Sequence, residues 1–224
     1  MPHDDLLKWR DEFPIVNETT YFASHTLGAM PRAVYDKLHE YADMWGGRGY
    51  KSWNEGWFEL NGQVGDKIGA IMGAPAGSVA VHQNASIANS ILLSALDYSD
   101  TSRNKVVVDD MIFPSDYYTL PAMLPEHFEI EIVKSHDRIT VPIDELLAAI
   151  DEHTRLVSIS HVLFRSSYIM PVKDIVTRAH EVGAQVLVNG YHSVGIIPVD
   201  VTEMNVDFYI GGVLKWMCGG PGGV

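Results

Sequence analysis

Lys215 stands between an apolar, strand-like run and a glycine-rich turn, in the stretch IGGVLKWMCGGPGG over 210–223. A lysine there is either a solvated loop residue or a desolvated amine with a chemical task, because burial lowers the pKa of an ammonium and frees its lone pair. Three other stretches carry groups that complement an amine. Asn84, Ala85 and Ser86 follow SVAVHQ and open an apolar helical pattern, which aims backbone N–H groups and a hydroxyl at an anion. Phe113, Ser115 and Asp116 lie in the turn FPSDYY that follows KVVVDD, and Asn189 and His192 lie in NGYHS after QVLV. A phosphate site, an aromatic plate, hydrogen-bonding groups for a ring nitrogen and one amine together suit a flat, phosphorylated, electrophilic cofactor. Pyridoxal 5′-phosphate needs all four, the amine condensing with its aldehyde.

The elements that must position these groups follow from periodicity. Residues 1–30 read as an arm and loop. After Pro31, Val34, Leu38, Tyr41 and Trp45 recur at helical spacing up to the stop at Gly46 and Gly47. A second helix covers roughly 55–72, with Trp57, Leu60, Val64, Ile68 and Ile71 on one face. A short strand is predicted over 78–82, then a helix over 84–96 with Asn84 as its cap. Strands at 105–110, 128–133, 155–162, 184–189 and 206–212 alternate with helices near 115–123, 142–151 and 171–183. This alternation predicts an α/β three-layer sandwich with a mostly parallel central sheet. Ligands of such sheets gather at the C-terminal ends of strands, which is where the polar groups above fall.

Composition narrows the partners. A net charge of −13 argues against nucleic acid, which needs a basic face. No apolar run approaches the ~18 residues that span a bilayer, so no membrane partner is expected. The single cysteine, Cys218, excludes an internal disulfide framework and suits a reducing cytoplasm. The ten histidines form no HExxH pair or tight cluster, so no metal is expected. No Walker phosphate loop occurs.

Over about 15–224 the chain resembles class V members of the fold-type I pyridoxal-phosphate enzymes, most of all the kynureninase-like ones. FPSDYY (113–118) resembles the turn that carries the family's ring-stacking Phe and a cofactor-contacting Asp. VNGYHSVGIIPVDV (188–201) resembles the Asp-x-x-His strand end, and GGVLKWMCGGPGG (211–223) the lysine loop with its Gly-Pro-Gly. The resemblance implies that Lys215 holds the cofactor and moves the substrate Cα proton. It implies that Phe113 stacks on the ring, that Ala85 and Ser86 begin the phosphate-binding helix, and that Asp116, Asn189 and His192 surround the cofactor. It also implies a small-molecule amino-acid substrate and a homodimer with its site at the subunit interface. Residues 1–50 then form an N-terminal arm and first helix. Residues 51–224 form the large cofactor-binding domain, which stops short of its end, with the C-terminal small domain absent.

Three departures bear on activity. Asn189 stands where the family has a carboxylate opposite the ring nitrogen, and an amide supplies no charge. Leu214 stands where kynureninases have Tyr. The family's small domain, which normally supplies the substrate-carboxylate arginine, is expected to be absent from this sequence. Separately, Arg48 in WGGRGY is a candidate for binding a substrate carboxylate. The kynureninase-like outcome is hydrolytic Cβ–Cγ cleavage. Class V amino transfer, epimerisation and desulfuration stay open, with Cys218 as the sulfur nucleophile in the last, and so does a non-catalytic relative that kept the scaffold. Each residue also has a plainer role. Asn189 caps a turn, His192 and Phe113 fill a core, Asp116 caps a helix and Arg48 sits on a solvated connector.

Overall fold

The computed structural model describes residues 4–223. A 3-10 helix over Asp5–Glu12 and a single turn, α1 (Ile15–Glu18), precede two longer helices, α2 (Ala33–Arg48) and α3 (Trp57–Ile71). From α4 (Ala85–Ala95) onward, helices and strands alternate. They are β1 (Lys105–Asp109), α5 (Pro114–Met123), β2 (Glu129–Val133), α6 (Ile143–Ala149), β3 (Thr154–Ser160), α7 (Val172–Glu181), β4 (Gln185–Asn189), α8 (Val201–Met204) and β5 (Phe208–Ile210). The five strands form one sheet in the order β2-β1-β3-β4-β5, every neighbouring pair parallel.

The valine run of β1 explains why the sheet is covered on both faces. Val106, Val107 and Val108 are all fully buried, and successive side chains of a strand point to opposite sides. Val106 and Val108 join Leu156, Leu187 and Ile210 in a core closed by Leu93 of α4 and Leu120 of α5. Val107 joins Val157, Ile159, Val186 and Val188 in a second core, closed by Leu146 of α6 and Ile175 and Ala179 of α7. Each fully buried aliphatic side chain contributes about 1.5–3 kcal/mol relative to exposure. The result is the predicted three-layer α/β sandwich. The edge strand β2 departs from the buried pattern, because Glu129 and Glu131 keep it polar and blunt edge-to-edge pairing.

The structure departs from the periodicity in three places. The predicted strand over 78–82 forms no ladder. The backbone of Val81 is satisfied instead by the Asn61 side chain, whose Nδ2 donates to the Val81 carbonyl at 2.7 Å while its Oδ1 accepts from the Val81 N–H at 3.0 Å. Among the described residues no strand pairs with the outer edge of β5. An apolar cavity of about 350 Å³ separates that edge from Val79, Ala80 and His82. Next, α2 does not stop at Gly46 and Gly47. It runs on to Arg48 and ends where Gly49 adopts φ 53°, a conformation that favours glycine. Among the described residues most of the stripe read as its apolar face is left open, since α2 has no buried residue and Leu38 is 60% and Trp45 64% exposed. Lastly, α3 buries Gly65 and Gly69, while Leu60 and Ile71 of its expected apolar face stay exposed.

Candidate functional site

A cavity of about 280 Å³ opens at the C-terminal ends of β3 and β4, on the face covered by α4 and α5. One wall is the start of α4, where Asn84 caps the helix by accepting from the Ile87 N–H at 3.0 Å. The next residues, Ala85 and Ser86, line the cavity with first-turn N–H groups that have no partner within the helix, and no acidic residue occupies that turn. Such an N-terminus favours an anion.

A second wall is aromatic. Phe113 immediately precedes α5, where Pro114 starts the helix, and its ring meets Phe164 edge-to-face at 5.0 Å. Tyr191 lies across the cavity from the turn after β4. The Lys215 Nζ sits 6.0 Å from the Phe113 ring centre and 5.5 Å from that of Tyr191, within reach of both aromatic rings. The loop bearing Lys215 is held from the N-terminal arm, where the Gly28 N–H donates to the Leu214 carbonyl at 2.7 Å. A Cβ at position 28 would strike the Lys215 carbonyl, so the approach needs glycine.

Lys215 differs in kind from the other lysine tucked against the sheet. Lys105 is held by Asp151 at 2.8 Å and Glu131 at 2.9 Å, and these carboxylates outweigh the cost of its burial and raise its pKa. Among the described residues Lys215 has no such partner. Its Nζ is hydrogen-bonded to Nε2 of His192 at 2.6 Å, with Nε2 accepting in the tautomer that carries its proton on Nδ1, and burial lowers the Lys215 pKa. Burial first, then the Lys215 charge and that of His25, hold His192 down at about 4. The imidazole is therefore neutral near pH 7 and accepts from the amine. An amine in a half-buried pocket with a neutral acceptor is a nucleophile in waiting.

Asn189 and Asp116 complete the lining. Asp116 is almost fully buried, and its carboxylate accepts from Nδ2 of Asn89 on α4 at 3.0 Å and, in a short contact, from Nδ2 of Asn189. Burial pushes the Asp116 carboxyl up, while the two amides pull it down by less. Behind the Gly190–Ser193 turn, the Tyr209 hydroxyl joins Ser193 Oγ at 2.6 Å and His161 Nδ1 at 2.9 Å, which fixes the segment carrying Tyr191 and His192.

Nine positions singled out by sequence therefore line one cavity: Asn84, Ala85, Ser86, Phe113, Ser115, Asp116, Asn189, His192 and Lys215. Arg48 does not join them. It lies at the end of α2, paired through two nitrogens with Glu55 at the surface, so its charge is already engaged. Sequence reasoning passed over Tyr191, Phe164, Ser160 and Asn89. Tyr191 had a signal, since it sits between two singled-out residues; Asn89 had none, being one polar residue within an apolar helix. Among the described residues no group of three or more His, Cys, Asp or Glu is placed to hold a metal, and no helix is long and apolar enough to cross a membrane.

Comparison with known proteins agrees with this geometry. Residues 20–224 match the family model described as aminotransferase class-V. The chain is 31% identical over 228 residues to a kynureninase from Pseudomonas fluorescens, covering 98% of this chain and 53% of that protein. It is 29% identical over 230 residues to a kynureninase from Shouchella clausii, covering 99% and 54%. The chain thus spans about half the length of the curated relatives it matches. Among solved structures, a cystine C–S lyase in complex with its product cysteine persulfide superposes with a TM-score of 0.82 at 22% identity, over 94% of this chain and 57% of that one. An apo cysteine desulfurase from Thermococcus onnurineus superposes at 0.81 and 20%, over 97% and 55%. At these identities the structural likeness speaks for the fold.

Proposed function

Because the chain belongs to the class V aminotransferase family, we propose that it is a pyridoxal-phosphate enzyme that acts on an amino acid through Lys215. The residues present fit the cofactor. A cavity of about 280 Å³ brings a helix N-terminus free of acidic residues, an aromatic face and a desolvated amine around one space. Ala85 and Ser86 would hold the phosphate through first-turn N–H groups and the Ser86 hydroxyl. Phe113 would pack on the ring, and Phe164 meets Phe113 edge-to-face behind it. When bound, the cofactor supplies an aldehyde that condenses with amines and a ring that draws electrons from the substrate Cα.

The rest of the chemistry belongs to the chain. Lys215 would hold the cofactor through its Nζ, and the same nitrogen, when free, would move the proton at the substrate Cα. His192 keeps that nitrogen in place by accepting its hydrogen bond. A neutral acceptor restrains the amine without competing for its lone pair or adding charge to the pocket. The Phe113 and Tyr191 rings, both within about 6 Å of the amine, make its surroundings less polar. The observation that carries this reading is the Lys215 amine, half-buried and paired with a neutral imidazole rather than a carboxylate.

Within the family, the likeness to kynureninases at 29–31% identity supports hydrolytic Cβ–Cγ cleavage that releases alanine. A homodimer is supported by the unpacked stripe of α2, and a cytoplasmic setting by the single cysteine, half-buried. The test is spectroscopic. Incubation with pyridoxal 5′-phosphate should give a visible absorption band that borohydride bleaches, leaving a covalent adduct on the peptide containing Lys215. Lys215→Ala should show neither band nor adduct. A wild-type protein that gives no adduct would sink the reading.

A further inference from the structure

Resting on that reading, we propose that Asn189 presents an amide N–H to the cofactor's ring nitrogen, so that this nitrogen binds without a proton. The geometry that points to it is the way the Asn189 side chain is locked. Its Oδ1 accepts from the backbone N–H of Tyr191 at 2.8 Å, and its Nδ2 donates to the Asp116 carboxylate. Turning the amide over would set oxygen against a carboxylate and N–H against N–H, losing both bonds at once. The orientation is therefore fixed from two sides. An amide nitrogen carries two hydrogens, and only one is spent on Asp116. The donor left over belongs to a residue that lines the cavity.

Asp116 does not take over the role of proton-holding carboxylate. It lies deeper than Asn189, at 4% exposure, and each of its oxygens already accepts an amide hydrogen, one from Asn89 and one from Asn189. Asn89 is equally buried and ties the cluster to α4, as Asp116 ties it to α5 and Asn189 to β4. Three elements therefore converge on one carboxylate and hold the amide rigid, which is how a preorganised site sets the state of its ligand. The aldehyde carbon and ring nitrogen of the cofactor lie at opposite ends of its ring. With Lys215 and His192 engaged at one end, the Asn189–Asp116 cluster is the part of the lining suited to meet the other. A ring nitrogen facing an N–H offers its lone pair; a protonated one would set donor against donor.

This shapes the chemistry the site favours. A neutral ring draws electrons from the substrate Cα less strongly than a protonated one.

The experiment is nitrogen-15 NMR of the protein reconstituted with cofactor labelled at the ring nitrogen. The expected resonance at neutral pH is that of an unprotonated pyridine. Asn189→Asp should move it into the pyridinium range. A wild-type resonance already in the pyridinium range would overturn the inference while leaving the cofactor assignment standing. Absence of any bound label would overturn both. A second measurement on the unmodified protein needs no variant to fold. The cofactor analogue with carbon in place of the ring nitrogen should bind about tenfold more weakly, since the Asn189 donor loses its acceptor. Equal affinity for the two would also count against the proposal.

Discussion

Asp109, at the end of β1, is fully buried, and its Oδ2 has no hydrogen-bond partner, while Oδ1 accepts from the Met111 N–H at 2.9 Å. Burial, then the neighbouring Asp110 charge, push its carboxyl up to about 6, against the pull of backbone N–H groups. The folded chain thus holds a proton there more tightly than the unfolded chain, whose value is near ~3.9. The sign follows. The group costs nothing at pH values below the unfolded value. Its penalty grows as pH rises from about 4 to about 6 and is complete above that, on the order of 2–3 kcal/mol. Asp109→Asn should remove this loss, so urea unfolding at pH 4 and pH 8 should differ by that much less in the variant than in the wild type. Equal differences in the two proteins would mean that Asp109 is solvated or paired. The same scale shows what residue types could convey. The sequence marked Lys215, Phe113 and Ser86 by type and by place after strands. It held no sign that His192 would bond the amine, or that Arg48 would be neutralised by Glu55, because both depend on neighbours set by the folded chain.

At the scale of elements, α4 links fold and site most directly. Its apolar face is anchored by Leu93 in the sheet's core, and its capped start forms the anion-facing wall. Asn84→Ala should cost about 1 kcal/mol of stability by removing the cap. It should also weaken cofactor binding by fraying the turn that presents Ala85 and Ser86. Equilibrium unfolding and a cofactor titration read the two effects separately. A loss of stability with unchanged cofactor affinity would show that the phosphate does not sit at this helix. The elements that were legible in the sequence, β1 to β5 with α2 to α7, are those whose residues carry a local strand or helix pattern between clear stops. The stretch 78–82 carried a strand's pattern but formed none, because a strand is a property of a pair. Here Asn61 supplies the hydrogen bonds that a neighbouring strand would.

At the scale of the whole molecule, the N-terminal third exposes an apolar surface that this chain does not cover. Leu38, Tyr41 and Trp45 of α2 lie open to solvent beside exposed Trp53 and Phe58. Tyr41 and Trp57 stack at 5.2 Å, and Trp53 meets Trp57 edge-on at 5.4 Å. Exposed apolar surface of this kind marks an interface, and a second copy of the chain is the partner proposed above. Sedimentation at micromolar concentration should give a dimer, and Leu38→Glu should shift it toward monomer with the circular dichroism of the sheet unchanged. A wild-type monomer would remove this assignment. The sequence by itself determined that five apolar runs alternating with amphipathic helices must form a covered parallel sheet, because the alternation leaves no other way to bury them. It likewise placed the polar groups after strands, where such a sheet gathers ligands. Only the tertiary structure decided which polar groups face one another, which way the Asn189 amide points, and which apolar stripe remains unpacked. Those outcomes depend on distances between residues far apart in the chain, and local pattern carries no record of them.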